Sequence, residues 1–308
     1  MLLVLGLVLV FMAPLFHFYA LPRVEKVPYD IYDRSVSLGT GRYFDAKTLS
    51  MTNARPLENI TITKGIPSAS NHRVAVMSQF QRTTDLQSGI DINYSQDVYS
   101  FDRSTGYAVH CCGESPRHEG ITLKFPFDVS RSTTYPFYDI TARNAFPATY
   151  ARSEEVAGLK TYVFVSHIPD TVIGTIDQFP GFLAGKPREP AVTVTEHYMA
   201  DTTVWVEPTT GAIVKGAQRS TEWGTDAGGR FVTALSDTDF TYSQPDVERT
   251  AARIKGKAFL LKLVRTVVPY YAPLAGILLA VAALALLGTV QGRAAVSEAV
   301  PAMAETSS

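Results

Sequence analysis

Two charge-free apolar runs bracket the chain and constrain everything between them. From Leu2 to Leu21 there is no charged side chain; the first is Arg23. A helix of that length rises about 30 Å, enough to cross the hydrocarbon core of a bilayer. A cleaved signal peptide carries a basic start and small residues before the cut. This run has neither, and it ends in Phe16, Phe18 and Tyr19. An uncleaved anchor over residues 1–22 is therefore expected, and the missing basic start points to a true N-terminus upstream of Met1. The second run covers residues 266–290. Pro269 and Pro273 interrupt its beginning, so the continuous helix is expected from Leu274 to Val290, about 26 Å long. Tyr270 and Tyr271 sit where an interfacial aromatic belt belongs. The ten residues Leu278 to Leu287 offer no polar face to solvent, which favours membrane over a soluble surface helix.

Two crossings put both termini on one side and the central domain on the other. The basic residues Arg253, Lys255, Lys257, Lys262 and Arg265 argue for a cytoplasmic centre, but a long domain translocates largely regardless of charge. The expected arrangement is a two-pass cell-membrane protein with residues 23–245 extracytoplasmic. Both termini are then cytoplasmic, the C-terminal one a disordered tail over 291–308. Charged residues make up 19% of the chain and the net charge is −1, so there is no basic excess to suggest a nucleic-acid partner.

The texture of the centre is β. Ile121 to Asp128 alternates apolar and other residues, the mark of a half-buried strand, with Pro126 suggesting an edge. Similar short runs recur at 60–63, 74–80, 90–94, 162–165, 192–195 and 231–235, separated by Gly, Pro, Asp and Ser. The expected class is mainly β with helices (α+β), a large curled or barrel-like antiparallel sheet between terminal membrane helices. One pattern occurs twice: Phe101-Asp-Arg-Ser-Thr-Gly-Tyr-Ala-Val109 and Val206-Glu-Pro-Thr-Thr-Gly-Ala-Ile-Val214. In each, a strand ends at the acid, three residues turn, and Gly106 or Gly211 takes a positive φ before the next strand leaves. A basic amphipathic helix is expected over 246–265, capped by Asp246. Its apolar positions are Val247, Ala251, Ile254, Ala258, Leu261 and Val264. Its Lys255, Lys257, Lys262 and Arg265 are placed to rest on anionic lipid headgroups.

No catalytic signature is present: no G-x-S-x-G, no H-E-x-x-H, no phosphate-binding loop and no dinucleotide fingerprint. The expectation is a non-enzyme without cofactor, catalytic residue or resident metal. Both cysteines of the chain fall in Tyr107-Ala-Val-His-Cys-Cys-Gly-Glu-Ser-Pro-Arg-His-Glu-Gly120. Outside the cytoplasm, Cys111 and Cys112 invite a disulfide with each other. Their Cα atoms lie about 3.8 Å apart across a trans peptide, below the usual range of roughly 4.4–6.8 Å. Such a bond closes almost no loop, and its role is local, locking a turn before Gly113. The competing readings are two free buried thiols, or a metal held by His110, Cys111, Cys112 and His118. Against metal, zinc sites space their cysteines by about two to four residues.

Taken in order, these residues resemble a known family. An N-terminal anchor leads to Tyr99-Ser-Phe-Asp-Arg-Ser-Thr-Gly106 and then Cys111-Cys-Gly113. Lys124-Phe-Pro-Phe127, Thr134-Tyr-Pro-Phe-Tyr-Asp139 and Glu155-Val-Ala-Gly-Leu-Lys-Thr-Tyr162 follow. Glu207-Pro-Thr-Thr-Gly211 and a C-terminal anchor complete the order. The chain is similar over nearly its whole length to the actinobacterial PorA-porin family. The resemblance implies an actinobacterial cell-envelope protein and supplies no catalytic residues. Two helices enclose a pore only when several copies assemble. Strands that cross a membrane need about 9–11 residues with an unbroken lipid-facing set, longer than the runs read here. The double-anchored layout is instead analogous to class B scavenger receptors, and the hairpins to half-barrel lipid carriers of the LolA type. The functional expectation is an ectodomain that binds or passes a lipid or other hydrophobic envelope molecule through a cavity lined by some of its 16 Phe and 15 Tyr. The alternatives are an oligomeric channel of the PorA type and an envelope interaction scaffold with no ligand.

Overall fold

The computed structural model describes residues 1–299. The chain forms two compact units, one of residues 1–25 and 259–308 and the other of residues 26–258.

In the first unit, α1 (Leu2–Leu15) runs through a π-turn at Phe16–Ala20 into α2 (Leu21–Val24). At the other end a π-turn at Leu263–Val267 leads into α4 (Val268–Ala299). Each π-turn precedes a proline, Pro22 or Pro269, whose missing N–H leaves a carbonyl without its usual donor. Pro269 and Pro273 both lie within the helical run, the π-turn preceding Pro269, and α4 begins at Val268, before the Leu274 start expected. Of the tail expected to be disordered, residues 291–299 continue the helix and residues 300–308 lie outside the described residues. The helical run from Gln244 to Leu287 is long and apolar enough to cross a membrane. The apolar helix at Leu3–Met12 is shorter. The two pack closely: a Cβ on Gly6 would lie 2.6 Å from the Gly276 carbonyl oxygen, the close approach that small residues allow between helices. Large apolar side chains such as Phe11, Phe18, Leu274, Leu278 and Val281 stay exposed. Beyond them, Arg265 pairs with Glu25, and the Arg23 guanidinium stacks 3.6 Å over Tyr19.

The second unit is an antiparallel sheet of eleven strands. They are β1 (Tyr32–Asp45), β2 (Ser50–Met51), β3 (Arg55–Gly65), β4 (Val74–Asp85), β5 (Ile90–Asp102), β6 (Tyr135–Asp139), β7 (Asn144–Val156), β8 (Leu159–Pro180), β9 (Ala191–Val206), β10 (Ile213–Thr225) and β11 (Phe231–Tyr242). Their order is β5-β4-β3-β1-β11-β10-β9-β8-β7-β6, with the short β2 beside β1. The strands are longer than the sequence runs suggested; β8 alone has 22 residues. The reason lies in which face is apolar. Along β9, Val194, Tyr198, Ala200, Thr202 and Val204 are buried while Thr193, Met199 and Asp201 are exposed. The buried face therefore includes Thr and Tyr, and polar inward positions break the hydrophobic alternation that marks a strand.

Two apolar layers flank the sheet. Inward, Phe125 packs against Tyr135, Phe137 and Phe164 with ring centroids 5.0–5.7 Å apart. Outward, α3 (Gln244–Lys262) lays Val247, Ala251 and Ile254 on Val163, Trp205 and Val214. Asp246 accepts from Val36 N at 2.6 Å and from Ser243 Oγ at 3.0 Å, fixing the start of that helix to β1. The strand expected at Ile121–Asp128 is not one. Ile121 makes isolated bridges, and the residues after it form an irregular strap held by turn carbonyls rather than by a neighbouring strand.

Candidate functional site

The edge strands β5 and β6 are not left apart. The segment after β5 joins them: Phe101 bridges Ala108, Tyr107 bridges Ile121, and Ile121 bridges Phe137 of β6. Real hydrogen bonds carry the seam. Val109 N donates to Ser100 O at 2.8 Å, Ala108 N to Gly120 O at 2.8 Å, and Ile121 N to Pro136 O at 2.7 Å. Val98 and Ser115 exchange both bonds, at 2.7 and 3.0 Å. The sheet is thus closed at one end by the cysteine-bearing segment.

Both matching turns form, but only the second is a strand-to-strand hairpin, from β9 to β10; after Gly106 the chain makes isolated bridges at Tyr107 and Ala108. Asp102 Oδ1 accepts from the N–H groups of Ser104 and Thr105, each at 2.9 Å. Glu207 accepts from Thr209 N at 3.0 Å and Thr210 N at 2.7 Å. Gly106 and Gly211 have φ of 79° and 71°. Their shared purpose is not readable from sequence. A Cβ on Gly106 would meet the Lys124 carbonyl, and one on Gly211 the carbonyls of Phe125 and Pro126. One strap, running from Ile121 to Val129, therefore lies against both turns. Phe125 N donates to Gly211 O at 2.8 Å and Val129 N to Pro208 O at 2.8 Å. The Lys124 ammonium sits 3.4 Å over the Phe127 ring.

Cys111 and Cys112 are bonded to each other. Cys112 is exposed, with φ of 63°, and Gly113 follows at 86°. An open cavity beside the pair is lined by His110, Cys111, Gly113, Glu114 and Arg117. The four metal candidates do not converge on an ion, since the sulfurs hold one another. Among the described residues, no group of three His, Cys, Asp or Glu side chains is arranged to hold one. His118 is fully buried and pinned on both nitrogens. Nδ1 lies 3.3 Å from Glu114 Oε1 and Nε2 3.3 Å from Asp97 Oδ2. Its ring stacks 4.0 Å from Tyr99 and meets Tyr138 edge-on at 4.9 Å. The other Glu114 oxygen, Oε2, lies 3.1 Å from His110 Nδ1. Sequence reasoning missed Glu114, although His110-x-x-x-Glu114-x-x-x-His118 places it midway between two histidines. It missed Asp97 because that partner comes from a distant strand.

From Asp97 inward, the sheet's inward face carries a polar lattice. Tyr99 Oη lies 3.4 Å from both Asp97 and Gln79, Gln79 donates to Thr63 Oγ1 at 3.1 Å, and Gln81 donates to Gln79 at 3.1 Å. Asn59 donates to Thr83 at 3.0 Å. On the far wall, Tyr198 and Gln218 both donate to Asp139 Oδ2, at 3.1 and 3.0 Å. Burial holds the carboxyls of Asp139, Glu222 and Glu196 above the ordinary range, and for Glu222 the charges of Glu196 and Asp139 add to it. Burial, with the Asp97 charge next, pushes the Tyr138 phenol up to about 12. Most of the Gln, Thr, Asn and Ser of β3 and β4 remain partly exposed. The outward face bears exposed charged pairs, Arg42–Asp237 at 3.2 Å, Arg82–Asp91 at 3.7 Å and His167–Asp201 at 2.7 Å. Of the residues expected at the membrane surface, Lys255, Lys257 and Lys262 are exposed, and Arg265 is engaged by Glu25.

No curated protein matches the chain. A family model described as Porin PorA matches residues 1–285, and it spans the apolar N-terminal helix, the whole closed sheet and most of α4. The chain belongs to the PorA porin family.

Proposed function

We propose that this is a double-anchored, membrane-associated envelope protein whose sheet stands in water and takes a hydrophilic molecule onto its inward face. The single observation that carries the reading is the polar lattice of Gln79, Gln81, Thr63, Asn59 and Thr83, hydrogen-bonded and partly open to solvent. Ligand sites of lipids are lined mainly by apolar side chains. Here the aromatic residues Phe125, Tyr135, Phe137 and Phe164 pack on one another instead of lining a free wall. A polar ligand is therefore favoured over the hydrophobic one read from the layout. The outward charged pairs support a sheet in water, because each Arg or Lys on a lipid-facing strand costs about 2–4 kcal/mol at the bilayer centre. Double anchoring is supported by the close Gly6–Gly276 packing and by the Glu25–Arg265 pair at one end of the helix pair.

The test is mass spectrometry of what co-purifies with the detergent-released full chain, after denaturation and partition between water and chloroform–methanol. The reading expects a stoichiometric compound in the aqueous phase. A stoichiometric lipid in the organic phase, absent from an unrelated membrane protein purified alike, overturns it. The family favours a second reading, an oligomeric channel. With the sheet end plugged by Phe125, such a channel needs several copies or a displaced strap. Reproducible conductance steps in planar bilayers from the pure protein would support it, and their absence at every oligomeric state removes it.

A further inference from the structure

The cavity beside Cys111–Cys112 belongs neither to the polar lattice nor to the membrane helices, and it gathers the parts of a sulfur chemistry. Cys112 is exposed to attack. Cys111 lines the cavity, so a thiolate leaving from it emerges among His110, Glu114 and Arg117. His110 is solvent-accessible, with a side chain 41% exposed, while its partner Glu114 is 7% exposed and held in place by His118 N–H at 2.7 Å. A carboxylate that orients an imidazole lining the same cavity as a leaving group is an arrangement suited to general acid–base catalysis. As a staple of the whole fold the bond does little, because adjacent cysteines restrict the unfolded chain hardly at all.

We propose that this cavity is a thiol–disulfide exchange site whose substrates are small thiols. The first thiol gives its proton to His110 or solvent, and its thiolate attacks Cys112 Sγ. The Sγ–Sγ bond breaks with its electron pair on Cys111 Sγ, which takes a proton from the His110 imidazolium. A second thiolate attacks the substrate sulfur of the mixed disulfide. Cys112 Sγ leaves and is protonated in turn. The net change is one protein disulfide and two thiols in, two protein thiols and one small disulfide out, with the two substrate protons ending on the cysteines. Glu114 acts as a positioning residue. The exchange is also connected to the seam: Cys111 O accepts from Ser100 Oγ at 2.9 Å and from Glu114 N at 3.1 Å, and Ser115 pairs with Val98. Cys112, in a left-handed conformation, lies within that closing segment, so opening the bond acts on the seam.

The experiment treats the folded, detergent-solubilised full chain with glutathione, quenches with iodoacetamide, and counts alkylated cysteines by mass over time. The proposal expects two alkylations under native conditions. It also expects His110→Ala to slow the reaction about tenfold or more, toward the 10²-fold often lost with a general acid. In denaturant the two proteins should react at one rate, which separates the site effect from the sulfur chemistry. His110→Gln should resemble His110→Ala, and Glu114→Gln should shift the pH profile of the native rate. If the native chain resists glutathione but yields in denaturant, or if His110→Ala reacts as fast as the parent, the bond is a staple and the proposal fails. The outcome is independent of what occupies the inward face.

Discussion

At Gly106 and Gly211 a methyl group meets two separate costs. Both residues need a positive φ, which costs a residue with a Cβ about 1–2 kcal/mol. Both also face strap carbonyls at distances no Cβ can share. Gly89 supplies the control: its φ is 72° and nothing lies within 4 Å of its would-be Cβ. Gly211→Ala is therefore expected to lose about 1–3 kcal/mol more than Gly89→Ala, the usual range for forced overpacking. Equilibrium urea unfolding of the detergent-solubilised variants measures the difference; equal losses would mean that the strap does not bear on the turn. At this scale the sequence was legible where chemistry is local. The repeated acid-x-x-Thr-Gly pattern announced both turns, and adjacent cysteines announced their bond. The strap that uses both glycines was invisible, because Lys124, Phe125 and Pro126 reach them only through the fold.

The elements follow the same division. Strand segments such as Val74–Phe80 and Phe231–Leu235 lie inside β4 and β11, where short apolar runs stand out from their polar surroundings. β1 was missed, since Ser37, Gly39 and Gly41 turn polar or bare positions inward, and of β10 only the start after Gly211 was legible, since Gln218 and Ser220 do the same. Ile121–Asp128 erred the other way: its alternation reports burial without a strand partner. The polar inward face has a measurable consequence. Asp139, Glu222 and Glu196 bind protons more tightly folded than unfolded, chiefly through burial. Their contribution to stability is complete below the ordinary carboxylate range, and it is lost as pH rises through their raised folded values. Asp102 works oppositely. Burial raises it, but the N–H donors of its turn outweigh burial and hold it below 3.8, so its contribution is lost only as pH falls into that range. Stability should therefore peak on the acid side of neutral, and Glu222→Gln should flatten the decline as pH rises above the ordinary carboxylate range. Urea midpoints along that rise decide it; a parent protein steadily more stable toward high pH would contradict the assignment. Among the helices, Gly276→Leu should separate α1 from α4, since the Gly6 carbonyl occupies the space its side chain needs. The expected result is a lower thermal midpoint of helix ellipticity in detergent for Gly276→Leu than for Ala282→Leu, at an exposed position of the same helix, and equal midpoints would argue against that contact.

For the whole molecule, the terminal apolar runs and the β centre follow from hydropathy alone, and family membership is shown by the match over residues 1–285. What the strands face was not legible, because strand direction depends on register. The sequence argument against membrane-spanning strands rested on length and on charged or proline-bearing loops between the runs, and the strands proved long enough. Exposed Arg42 and Asp201 and half-exposed Arg82 on the outward face now carry that argument. The central claim is that both faces of the sheet meet water, the outer one at charged pairs and the inner one at a polar lattice. Single cysteines at Arg82 and Gln81, in the Cys111→Ser, Cys112→Ser background, report on the two faces in protein reconstituted into vesicles. The measurement is labelling by a charged, water-soluble maleimide against labelling by a lipid-soluble one. The account predicts that the water-soluble reagent labels both positions on molecules whose sheet faces the outside. Labelling of Arg82→Cys only by the lipid-soluble reagent would place the strands in the bilayer and contradict it.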